Sequence, residues 1–99
     1  MWYAITAADA PNTLERRVAI RPRHLPRLRQ LADEGRSLCG GAFPAIDSPD
    51  PGAAGFTGSL IVAEFASLEN AEAWIKADPF YIDGVYAKIV VKPCCKTPP

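Results

Sequence analysis

The periodicity of apolar residues changes in a definite order along this chain, and that order restricts the fold more than any single motif. "WYAITA", Trp2 to Ala7, is rich in strand formers and ends at polar "ADAPNT". A loop over residues 9–19 is expected next. From Arg21 to Gly35, "RPRHLPRLRQLADEG", the spacing becomes helical. At roughly 100° per residue, Leu25, Leu28, Leu31 and Ala32 share one side with His24 at its flank. Arg23, Arg27, Gln30, Asp33 and Glu34 take the other side, and Gly35 is a suitable stop. "SLCGGAF", Ser37 to Phe43, is a second strand, and the proline-rich residues 44–55 form a loop. "FTGSLIVAEF", Phe56 to Phe65, is the third strand. "SLENAEAWIKAD" is a second helix with Ser67 as N-cap and Pro79 as its stop. "GVYAKIVVK", Gly84 to Lys92, is the last strand, followed by a loose tail.

The resulting order, β-α-β-β-α-β, is that of a ferredoxin-like α+β sandwich in one domain spanning residues 1–99. Its antiparallel sheet is expected in the order 4-1-3-2, with both helices on one face. That topology brings the first helix's start and the second helix's finish to one end of the sheet. His24, the only histidine, is therefore expected close to Asp78, fifty-four positions away. Pro22 suits a first helical position, but Pro26 removes a backbone bond. The helix is either kinked there or begins near Leu25 with His24 as its cap. Both readings put His24 at the helix N-terminal end.

Asp78 projects toward the core side of the second helix and stands at its C-terminus, where the macrodipole disfavours a negative charge. It needs a cationic or hydrogen-bonding partner. An aspartate there fixes a histidine's tautomer and leaves the second ring nitrogen free to face a ligand. The bland alternative is an Asp that caps a turn before Pro79 beside a merely structural histidine. Arg21 precedes the proposed rim and is placed to grip a carboxylate.

Other chemistries find less support. Eleven basic and eleven acidic residues cancel, so no global field attracts nucleic acid or an anionic membrane. The remaining arginines read as a solvated face. The apolar runs are too short and too interrupted for a membrane-spanning helix. Three cysteines, two of them adjacent, form neither a disulfide framework nor a zinc motif, and Cys39 is expected to be buried. The glycine-rich stretches match no phosphate-cradling motif. No cofactor is expected. With no basic leader before "MWYAITAAD", the expected setting is the cytoplasm.

"RPRHLPRL", "DEGRSLCGGAFPAIDSPDPGAAGFTGS", "ADPF" and "GVYAKIVVKP" resemble the YciI family of small bacterial proteins, over essentially the whole chain. The resemblance implies a dimeric α+β barrel and an active-site pair at the positions of His24 and Asp78. It also implies kinship with muconolactone isomerases and a chloromuconolactone dehalogenase. Two features depart from the family pattern: Pro26 in the first helix, and "PCCK" where an aromatic-lysine tail is usual.

The combined expectation is a homodimeric enzyme acting on a small, anionic, lactone-like or halogenated molecule, with His24 as acid or base and Asp78 as its orienting partner. Arg21, Gly40, Gly41 and Phe43 would help to bind that molecule. The rival from another class is a metabolite-binding or accessory module that holds the same ligand without turnover. The dimer is expected to form through the helix-free face of the sheet, which exposes too much apolar surface for a monomer.

Overall fold

The computed structural model describes residues 1–97. Four strands form one antiparallel sheet: β1 (Trp2–Asp9), β2 (Ser37–Pro44), β3 (Phe56–Glu64) and β4 (Tyr86–Cys94). Their order is β2-β3-β1-β4, the ferredoxin-like arrangement. Helices α1 (Leu14–Asp33), α2 (Leu68–Lys76) and α3 (Pro79–Ile82) belong to the same α+β layer structure, and a short 3-10 turn lies at Gly52–Ala54. The core sits between sheet and helices. Tyr3, Ile5, Ile61 and Ala63 from the strands meet Ile20, Leu31, Ala71, Ile75 and Phe80. No described helix is long and apolar enough to cross a membrane.

The first helix is much longer than its sequence suggests. It starts at Leu14, so the expected 9–19 loop shrinks to a short link in which the Thr13 hydroxyl donates to the Ala10 carbonyl at 2.7 Å. His24 consequently lies in the middle of α1, about 15 Å from its first turn at 1.5 Å per residue. The helix runs through both prolines. Pro22 and Pro26 are four apart and exposed, on the side opposite buried His24. The carbonyls that lose their bonds there belong to Val18 and Pro22, both exposed residues, where water can replace the missing donors. The proline-based expectation of a late start fails for that reason.

Asp78 also differs from expectation. Helix α2 ends at Lys76, and Asp78 is the N-cap of α3, accepting from Phe80 N–H at 2.9 Å. Pro79 occupies the first turn of this new helix, where a missing N–H costs nothing. Asp-Pro therefore starts a helix rather than merely ending one. Ser67 caps α2 as its sequence predicts, accepting from Asn70 N–H at 3.1 Å.

The last strand is displaced two residues along the chain. Pro93 pairs with Tyr3 and Cys94 with Trp2, so part of the expected tail is strand. An edge strand tolerates a proline because its N–H can be spared. A register shift at Ala8/Asp9 turns Tyr86 into the core, although simple alternation puts it outside. Cys39 is exposed rather than buried, because edge strand β2 is exposed along its whole length.

Gly58 in β3 allows the sheet to close. A side chain there would collide with the Ala7 carbonyl oxygen of paired strand β1. Gly41 has open space around its missing Cβ. Gly58→Ala is expected to lower stability by at least about 1–3 kcal/mol in urea unfolding. Gly41→Ala should change it by less than about 0.5 kcal/mol. Equal midpoints for the two variants would contradict this account.

Candidate active site

Asp78 has no exposed surface, and its carboxylate is held from three sides. His24 Nδ1 lies 2.9 Å from both carboxylate oxygens. Arg27 Nη1 donates to Oδ2 at 2.9 Å, and the Phe80 N–H donates to Oδ1. A carboxylate accepts only, so a neutral His24 bonded to it carries its proton on Nδ1 and leaves Nε2 as the acceptor. The imidazole stacks on Phe80, with centroids 4.2 Å apart and planes at 21°, which restricts its rotation. The ring makes no other hydrogen bond among the described residues.

Arg27 belongs to this cluster, although helical phase assigns it to solvent. Its Nη2 donates to the Trp74 carbonyl at 2.8 Å, and its guanidinium lies 4.3 Å from the centre of the Trp74 ring. Long side chains bend their charged heads away from the direction their Cα suggests. Wheel projection misses that reach.

His24 opens onto a cavity of about 650 Å³ between α1 and the β2–β3 side of the sheet. That size falls in the usual range for small-molecule sites. Arg21, Gly40 and Gly41 all line it, together with Leu25, Leu28, Phe56, Ile61 and Phe80. Phe43 does not. It pairs with Gly58 and lines a shallow depression with Thr6, Thr57 and Val90 on the helix-free face. Strand alternation after Ala42 sends its side chain there, so its expected place beside the ligand is corrected.

Two more polar residues reach the cavity wall, Arg17 and Ser59. Arg17 is 6% exposed, and its Nη1 donates to the two Asp9 oxygens at 3.1 and 3.0 Å. Its Nη2 donates to Ser59 Oγ at 2.8 Å and to the Gly58 carbonyl at 3.3 Å. Burial pushes the Asp9 carboxyl above its ordinary value, while the charge and hydrogen bonds of Arg17 pull against that shift. Behind them the Tyr86 phenol is raised to about 12, chiefly by burial. By residue type alone Arg17 belongs to a solvated face, because residues 9–19 read as loop. Its spacing from His24, two helical turns, carries the signal once α1 is known to begin at Leu14.

Among the described residues no group of three His, Cys, Asp or Glu side chains converges as a metal site. The arrangement instead supplies an oriented imidazole, a neutralised carboxylate behind it and an apolar cavity in front. Such a set can accept or donate a proton at an atom of a bound molecule.

Comparison with known proteins places this architecture in a family. The model of the YCII-related domain matches residues 1–94. The chain is 57% identical over 93 residues to Protein YciI of Escherichia coli O6:H1, covering 94% of this chain and 95% of that protein. It is 52% identical over 93 residues, with the same coverage, to an uncharacterized protein of Haemophilus influenzae. In fold it is similar to 5-chloro-2-hydroxyhydroquinone dehydrochlorinase (TftG) of Burkholderia phenoliruptrix AC1100, solved with 2,5-dihydroxybenzoquinone. The TM-score is 0.84 at 23% identity, over 98% of this chain and 96% of that one. With a family model spanning nearly its whole length and relatives this similar, the chain belongs to the YCII-related family.

Proposed function

We propose that this protein is a small acid–base enzyme acting on an anionic organic molecule, lactone-like or halogenated, bound in the cavity beside His24. The observation that carries this reading is the 2.9 Å contact of His24 Nδ1 with fully buried Asp78. It leaves Nε2 as the basic atom of an imidazole that lines a cavity of ligand size. In this reading His24 moves the proton and Asp78 is a positioning residue. Arg21, at the cavity wall, attracts the ligand's negative charge, while Gly40 and Gly41 keep the β2 wall free of side chains. The similarity in fold to a dehydrochlorinase supports a reaction begun by proton transfer. The chemistry calls for no cofactor. The proposed setting is the cytoplasm, with free thiols and a net charge of zero that offers nothing to nucleic acid.

The helix-free face of the sheet supports the further proposal of a homodimer. Trp2, Ala4, Leu60 and Val90 lie there half-exposed and uncovered by any helix, around buried Val62, with Phe43 at the β2 edge. Glu64 on β3 and Lys88 and Lys92 on β4 carry opposite charges on the same face, which a two-fold copy can match. Sedimentation equilibrium at micromolar concentration should give the dimer mass, and Val90→Asp should shift it to monomer. A monomer throughout would contradict this assembly.

The enzymatic proposal is tested with 5-chloro-2-hydroxyhydroquinone and a panel of small lactones, following chloride release and deuterium uptake from D2O by NMR. His24→Gln should lower turnover about 10²-fold or more. Asp78→Asn should lower it at least about tenfold, because the imidazole loses its fixed orientation. Full activity in a folded His24→Gln variant would remove His24 from the mechanism. Saturable binding without turnover of any of these compounds would favour a metabolite-binding module instead.

A further inference from the structure

The cavity has a second polar pole whose hydrogen-bonding capacity is not fully used. Ser59 is 5% exposed, lines the cavity and accepts a 2.8 Å bond from Arg17 Nη2. A guanidinium has no acceptor atom, so the hydroxyl hydrogen of Ser59 cannot return to Arg17. Asp9 does not take it either: its carboxylate is bonded to Arg17 Nη1, and no hydrogen bond joins it to Ser59 among the described residues. The buried Tyr86 hydroxyl lies close enough to Ser59 for the two to influence each other, but no hydrogen bond of good geometry joins them. The Ser59 hydroxyl is thus polarised by a cation and has one donor unspent at the wall of a ligand-sized cavity.

The two poles are tied to the same aromatic ring. His24 stacks on Phe80 at 4.2 Å between centroids, and the Arg17 guanidinium lies 4.9 Å from the centre of that ring. Arg17 also packs over Phe56 at 5.3 Å. Donor and base are therefore held by one rigid support, with apolar wall around them.

We propose that Ser59 is the oxygen-binding residue of the cavity, donating its hydrogen bond to a carbonyl oxygen that becomes an enolate oxygen as His24 acts. The inference rests on the acid–base reading and specifies its substrate class: molecules with a carbonyl adjacent to the carbon that loses its proton. In that step the C–H electron pair forms a new C=C bond, the carbonyl π pair moves onto oxygen, and the proton passes to His24 Nε2. Return of the proton to the enolate oxygen gives the enol. In a substrate with a C=C conjugated to the carbonyl, its return at the far carbon of the dienolate moves that double bond. Both are tautomerisations with no oxidant or reductant. The developing negative charge meets the Ser59 hydroxyl, with Arg17 directly behind it. Donors preorganised in this way stabilise such oxyanions strongly.

The test is calorimetric binding of 2,5-dihydroxybenzoquinone, which carries carbonyl and enol oxygens on one ring, to wild type and to Ser59→Ala, Tyr86→Phe and His24→Gln variants. Thermal unfolding checks that each is folded, and Ser59→Cys replaces Ser59→Ala if the alanine variant is not. Ser59→Ala should weaken binding about tenfold or more, the loss expected for one hydrogen bond to a charged oxygen. Tyr86→Phe should stay within about twofold of wild type. Wild-type affinity in Ser59→Ala, with binding weakened in His24→Gln, would overturn the Ser59 proposal and leave the acid–base reading standing. Equal losses in Ser59→Ala and Tyr86→Phe would show that the hydrogen is spent on the phenol, and would also overturn it. No binding by the wild type would overturn both.

Discussion

A fully buried carboxylate is expensive to desolvate, and the arrangement of the helices around Asp78 follows from compensating that cost. An unpaired charge in such a place is penalised by several kcal/mol. Here His24, Arg27 and the Phe80 N–H all point at it. These contacts come from two separate elements, since His24 and Arg27 belong to α1 and Phe80 to α3. Through Arg27 the cluster also reaches the Trp74 carbonyl of α2. One carboxylate thus ties all three helices together, and the same contacts orient the imidazole.

A second buried carboxylate repeats the principle at the sheet. Asp9 is neutralised by Arg17, which reaches on to Ser59 and the Gly58 carbonyl. Helix α1 supplies the basic partner in both clusters, Arg17 for Asp9 and Arg27 for Asp78. The polar residues on its inner side are therefore structural ties as well as cavity wall. Phe80 lies between the clusters, in contact with both His24 and Arg17. The bare glycine backbone of β2 leaves space opposite them, and the cavity is that space.

The order of elements, the strand arrangement and the convergence of His24 with Asp78 were all legible in the chain. Each depends on a local signal: alternation in "WYAITA" and "LIVAEF", helical spacing from Leu25 to Ala32, and connection rules that leave few topologies. The start of α1 was not legible, because two prolines and a run of arginines resemble a loop when solvent-facing and core-facing carbonyls are indistinguishable. Asp78 reads as the end of a helix because Pro79 stops one helix and starts another equally well. Arg27 and Ser59 carry no local signal, and that of Arg17, its two-turn spacing from His24, is legible only once α1 is known to begin at Leu14. Apart from the Arg17–Asp9 pair, eight positions apart, their side chains bond partners between 41 and 51 positions away.

By itself the sequence determined what periodicity and residue type encode: four strands, two principal helices, one histidine and an acidic partner brought to it by topology. Tertiary structure alone decided which polar groups are buried together, because that depends on where long side chains bend and which carbonyls meet water. It also decided that Phe43 faces away from the cavity and that Tyr86 turns inward. A change of one residue in register moves a side chain to the other face of a sheet, and neither residue type nor spacing records it.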